Sequence, residues 1–78
     1  MNDLIFLFEK YNNGDYDISD VSRLLSYMAL PDELDVDIEK AEYKIEMIRF
    51  LESHNEQKEQ ANKVLLDLIE KYKNILDA

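Results

Sequence analysis

Apolar side chains recur along this chain at three- and four-residue intervals and never alternate at period two over a useful length, so the pattern predicts helices and no sheet. A first helix is expected from about Asn2 to Tyr11. Leu4, Ile5, Leu7, Phe8 and Tyr11 make its apolar face, and Asn2 or Asp3 can cap it through a side-chain oxygen. Asn12, Asn13 and Gly14 end it, because Gly and Asn tolerate the positive φ of a helix C-terminus. A second helix, from about Ser19 to Ala29, carries Ile18, Val21, Leu24, Leu25 and Met28 at helical spacing. Asp17 or Ser19 can cap it, and Pro31 closes it by disfavouring the α conformation in the residue before it.

The third helix starts between Asp32 and Asp37 and reaches about Glu52. Asp32, Asp35 and Asp37 are each candidate caps, and acids suit a first turn, where the helix dipole is positive. At ~100° per residue, Ile38, Ala41, Ile45 and Ile48 form one stripe, while Tyr43, Met47, Phe50 and Leu51 form a second, nearly opposite one. Glu42, Glu46 and Arg49 lie between the stripes on one side, Lys40 and Lys44 on the other. A helix apolar on two sides is either sandwiched centrally or keeps one stripe for a partner. In so short a chain a middle helix can touch both neighbours, so the sandwich is the expectation. The fourth helix opens with a capping box, Ser53-His54-Asn55-Glu56. Ala61, Val64, Leu65, Leu68, Tyr72, Ile75 and Leu76 then hold one face, and Lys71 and Lys73 complement the dipole near its end.

The connections are short, which implies antiparallel neighbours. The expected fold is all-α, a small antiparallel four-helix bundle in one domain (residues 1–78), its short first hairpin packed on a longer second hairpin. A chain of 78 residues allows a single thin core. A hydrophobic content of 46% with one Gly and one Pro is too apolar and too regular for a disordered chain. With no cysteine there is no disulfide and no thiolate metal site, which fits a reducing cytoplasm. The N-terminal stretch has no basic leader and no apolar run approaches the ~20 residues of a membrane span, so a complete, soluble, cytoplasmic chain is expected.

Charge changes the picture more. The net charge is −9, and it is unevenly placed: the first 37 residues hold nine acids and two bases, a net of −7, the other 41 nine acids and seven bases, a net of −2. Such a balance disfavours nucleic acid and anionic membrane, which recruit clustered Lys and Arg, and attracts basic surfaces. The stretch from Tyr11 to Ser22 has the helix–acidic loop–helix outline of an EF-hand. Yet Tyr11, Tyr16 and Ser22 stand where that loop needs a carboxylate, a glycine and a second carboxylate. An Asn- and Asp-capped turn explains the same residues. His54, the one histidine, lies in a polar turn with no partner nucleophile or metal ligand in view. Glu42 and Glu46 lack the Glu-x-x-His element of a di-iron bundle and read as a solvated face. No catalytic constellation, cofactor or metal is expected. Tyr11, Tyr43 and Tyr72 are expected at the core or its edge. Tyr16 and Tyr27 are harder to bury, and Tyr16 among carboxylates is a candidate binding anchor.

Two stretches carry a likeness to known proteins. One is Phe8-Glu9-Lys10-Tyr11-Asn12-Asn13-Gly14-Asp15-Tyr16-Asp17-Ile18-Ser19-Asp20-Val21. The other is Glu42-Tyr43-Lys44-Ile45-Glu46-Met47-Ile48-Arg49-Phe50, with Gln57 after a short polar turn. The chain resembles in these the small bacterial immunity proteins that protect a cell from its own colicin-like or contact-dependent inhibition toxin. Asp15-Tyr16-Asp17 departs from the tighter Gly-x-Ile-Ser spacing of that group. The resemblance implies a non-enzymatic inhibitor that offers carboxylates where a basic toxin domain would bind phosphates. The expected partner-binding residues are Asp15, Tyr16, Asp17, Asp20, Asp32, Glu33, Asp35 and Asp37. The alternative is a structural or regulatory module that self-associates as a homodimer through Tyr43, Met47, Phe50 and Leu51.

Overall fold

Helix α1 spans Asp3–Asn12, α2 Ile18–Tyr27, α3 Asp35–Leu51 and α4 His54–Asp77, with one 3-10 turn, η1, at Asp32–Leu34. The computed structural model describes residues 3–77, and of His54 the backbone alone. The expected cap Asn2 and the expected solvated setting of the His54 side chain lie outside the described residues. No strand occurs among them, and the all-α bundle is as the periodicity predicts.

The ends of the helices follow from local chemistry. Gly14 adopts φ +87°. Its N–H donates to the Tyr11 carbonyl at 3.3 Å and that of Asp15 to the Lys10 carbonyl at 3.0 Å, a Schellman closure of α1. Asp17 caps α2: the Asp20 N–H donates to Asp17 Oδ1 at 2.9 Å, and the Asp17 N–H donates to Asp20 Oδ2 at 3.0 Å. Of the two expected caps, Asp17 and not Ser19 takes the role. α2 stops at Tyr27, two residues short of the expected Ala29, because Met28 is already extended.

α3 starts at Asp35, inside the expected interval and with acids in its first turn, but its cap is a correction. No carboxylate caps it. The chain enters through η1, and Leu34, in helical conformation and 1% exposed, takes the N-cap position with no side-chain hydrogen bond. Burial of Leu34 decides the entry, so Asp32, Glu33 and Asp35 stay exposed. At the start of α4 the Ser53 carbonyl accepts from the Glu56 and Gln57 amides at 3.0 and 2.9 Å. Both are backbone bonds, and the Glu56 carboxyl turns to that of Glu52, so neither side-chain bond of the expected capping box is among them. α4 continues to Asp77, which leaves its last turn without a base. Lys71, expected there, pairs with Asp37 and Asp67.

α4 touches all three other helices, and α2 also touches α1 and α3, whereas α1 and α3 do not meet. The helices therefore run round a ring with α2 and α4 across its short diagonal. The longest dimension, 38 Å, is close to the length of α4, 24 residues at ~1.5 Å each. Leu4, Leu7, Tyr11, Ile18, Val21, Leu25, Ala41, Ile45, Ala61, Leu65, Leu68 and Ile69 form one buried cluster. Ile69 joins it unforeseen by the α4 stripe, and Leu76, expected in that stripe, is 55% exposed. A polar clamp adds to the apolar contacts between α1 and α4. The Asn12 and Asn62 amides exchange hydrogen bonds at 2.9 and 2.7 Å, and Lys58 Nζ donates to the Asn12 carbonyl at 2.9 Å.

Candidate binding surfaces

The acids of the first half fall in two places, not one. Asp15, Tyr16, Asp17 and Asp20 sit at the α1–α2 turn, and Asp32, Glu33, Asp35 and Asp37 lie beyond the far end of α2. Asp20 lies in the first turn of α2, and the rest of that ten-residue helix, roughly 10 Å at ~1.5 Å per residue, lies between it and the second group.

The first group is occupied within the fold. Asp15 pairs with Lys10 at 3.5 Å and Asp20 with Arg23 at 3.0 Å, while Asp17 is the α2 cap. The Asp17 amide and the Arg23 guanidinium hold the Asp20 carboxyl below the ordinary carboxylate value. Tyr16 packs partly against the core cluster, in a groove with Phe6, Leu24 and Tyr27, so it is a cover for the turn as much as a projecting anchor. Tyr11 is 7% exposed, and burial, then the Asp17 charge, push its phenol above its ordinary value of 10.0.

The second group is more open. Asp37 is held by Lys71 Nζ at 2.9 Å, and Lys71 also reaches Asp67 at 3.1 Å. The two carboxylates raise the Lys71 pKa above 10.5. Asp32, Glu33 and Asp35 are exposed and have no ion-pair partner within 4.0 Å among the described residues. They crown the entry to α3 as three neighbouring carboxylates.

The second stripe of α3 is on the surface, which corrects the sandwich expectation. Tyr43 is 68% exposed, Phe50 72%, Leu51 71% and Met47 42%, and Val36, absent from the predicted stripe, joins them at 62%. The reason is the ring order. α2 and α4 both approach α3 from the side of Ala41 and Ile45, and α1 never reaches it. Tyr43 is thereby also removed from the expected core, whereas Tyr72 stays at the core edge. The Arg49 guanidinium lies 5.3 Å from the centre of the Phe50 ring and within 3.8 Å of Glu46, which also accepts from the Ser22 hydroxyl.

No family model, curated protein or solved structure matches the chain. Arrangement of side chains alone therefore carries the functional reading.

Beside the α3 stripe, a groove of about 680 Å³ runs between α3 and α4, and Lys40, Lys44, Lys63 and Lys71 line it. Four of the chain's nine bases thus line one flank, together with Asp37 and Asp67, which pair with Lys71. Spacing on a helical wheel predicts Lys40 and Lys44 on one side of α3, but the contribution of α4 needs the packing. Gln57 was also not assignable from its turn. Its Nε2 donates to the Arg49 carbonyl at 3.2 Å and the Glu52 carbonyl at 3.4 Å, satisfying the end of α3. No helix among the described residues is long and apolar enough to cross a membrane.

Proposed function

We propose that this chain is a non-enzymatic binding protein that occludes a basic protein, of the kind that bacterial immunity proteins perform on a toxin domain in the cytoplasm. The observation that carries the reading is the open trio Asp32, Glu33 and Asp35 at the η1–α3 entry, next to the paired Asp37. Carboxylates that pair with no base among the described residues keep their field for a partner. Steered encounter between opposite patches raises association rates by ~10–1000-fold and is suppressed by salt. Asp15, Asp17 and Asp20 contribute to that field but spend their hydrogen bonds on the turn, so the contact centres on the η1 end. A net charge of −9 places nucleic acid and anionic membrane outside the reading.

Titration calorimetry and stopped-flow association kinetics against a basic toxin nuclease domain test it. Binding at ~50 mM salt should weaken steeply by ~500 mM, and Asp32→Asn, Glu33→Gln and Asp35→Asn together should slow association at least about tenfold. Unchanged kinetics in the triple variant would remove this surface from the proposal.

A second reading is favoured by a separate observation, the exposed stripe Val36, Tyr43, Met47, Phe50 and Leu51. Contiguous apolar patches rimmed by charge mark interaction sites. The second reading is self-association through α3.

A further inference from the structure

The outward face of α3 has a period of seven. Val36, Tyr43 and Phe50 are spaced by seven residues, and Lys40 and Met47 by seven between them. At ~100° per residue these five occupy one narrow strip, nearly opposite the buried Ala41 and Ile45. In heptad terms Val36, Tyr43 and Phe50 are d positions, and Lys40 and Met47 are a positions. Glu39 and Glu46 are then g positions along one edge, with Asp37, Lys44 and Leu51 as e positions along the other. An isolated seam of two heptads would be too short to fold as a coiled coil. Here α3 is already held helical by α2 and α4, so the ordering cost is met before any partner arrives.

We propose that α3 pairs with α3 of a second copy of this chain in parallel, two-fold symmetric register, with Glu39 of each copy facing Lys44 of the other. The proposal rests on the self-association reading of the stripe and adds its geometry. Symmetry and charge choose the direction. A two-fold axis along a parallel pair sets the g edge of one helix against the e edge of its mate, and g contacts the e position five residues on, which from Glu39 is Lys44. A two-fold axis across an antiparallel pair centred on Tyr43 sets each edge against its own copy, Glu39 near Glu46 and Lys44 on Lys44. Neither Glu39 nor Lys44 has an ion-pair partner within 4.0 Å among the described residues. The remaining edge charges already have partners: Glu46 is met by Ser22 and Arg49, Asp37 by Lys71. The pair that the parallel register joins is the pair the monomer leaves open. Lys40, polar at an a position, fits a two-stranded seam and penalises slipped registers. The seam is small, so the dimer belongs to the weak class.

The chain has no cysteine, so single-cysteine variants report proximity without background. Val36→Cys and Phe50→Cys replace exposed residues and should leave the helical circular dichroism unchanged. Under mild oxidation at about 100 µM, each variant alone should form a disulfide-linked dimer, and Asn13→Cys, on the α1–α2 turn, should not. In an antiparallel pair centred on Tyr43 neither variant would link to itself, and only a mixture of the two would. Sedimentation velocity from about 1 to 200 µM should show a monomer passing to a dimer. Lys44→Glu should weaken that dimer about tenfold, and adding Glu39→Lys to it should restore it. A monomer across the range overturns the self-association reading and the proposal together. A dimer that links only in the mixture, or that the charge swap does not restore, overturns the parallel pairing and leaves self-association standing.

Discussion

Gly14 shows how one position is set by backbone conformation rather than by contacts. Its φ of +87° lies in the left-handed region, yet an added Cβ would meet nothing within 4 Å. Gly14→Ala is therefore expected to destabilise the fold by about 1 kcal/mol through backbone strain alone, and Gly14→Asn by less. Urea unfolding of the two variants separates this from a steric effect, which would penalise Asn more than Ala. This glycine was legible in the sequence because the Asn-Asn-Gly turn needs no tertiary partner. The clamp between Asn12 and Asn62 was not, since fifty residues separate two amides that only the packing of α1 on α4 brings within 2.7 Å.

Helix ends behave differently from one another according to how much of their chemistry is local. Asp17 was one of two caps legible for α2, and its reciprocal bonds with Asp20 need no tertiary partner, whereas α3 starts within its expected interval but with buried Leu34 at the N-cap in place of a carboxylate. Between α3 and α4 the carboxyls of Glu52 and Glu56 meet, and the hydrogen bond and like charge raise the Glu52 pKa above 4.5. A carboxyl raised in the folded state costs stability above its folded pKa and nothing once both states are protonated. Glu52→Gln should accordingly be more stable than the parent at pH 7, with the advantage vanishing as the pH falls below about 4.5. Thermal melts across that range check it. The opposite sign applies to Asp20: its lowered carboxyl stabilises α2 at neutral pH, and that contribution is lost as the pH falls below 3.8.

For the molecule as a whole, the thin core concentrates stability in few side chains. Leu65 is fully buried where α4 meets the cluster, and Leu65→Ala should cost about 3 kcal/mol, a large share of the ~5 kcal/mol ordinary for so small a domain. Tyr27, 79% exposed, should tolerate Ser within about 0.5 kcal/mol. Chemical denaturation of both variants at low micromolar concentration, where self-association is negligible, compares them directly. Charge is likewise a property of the assembled molecule. The −7 half is legible in the chain, but its division into an occupied group at the α1–α2 turn and an open one at η1 is not.

Periodicity, turn chemistry and charge count are local or additive, and they sufficed for four helices, most of the core positions of α1, α2 and α4, and the acidic bias. Which apolar face stays uncovered depends on how many neighbours a helix acquires, and that is a matter of the ring order alone. α3 carries two apolar stripes of similar strength in the chain, but α2 and α4 approach from one side and α1 sits across the diagonal. Ala41 and Ile45 were thereby buried, and Val36, Tyr43, Met47 and Phe50 were left at the surface.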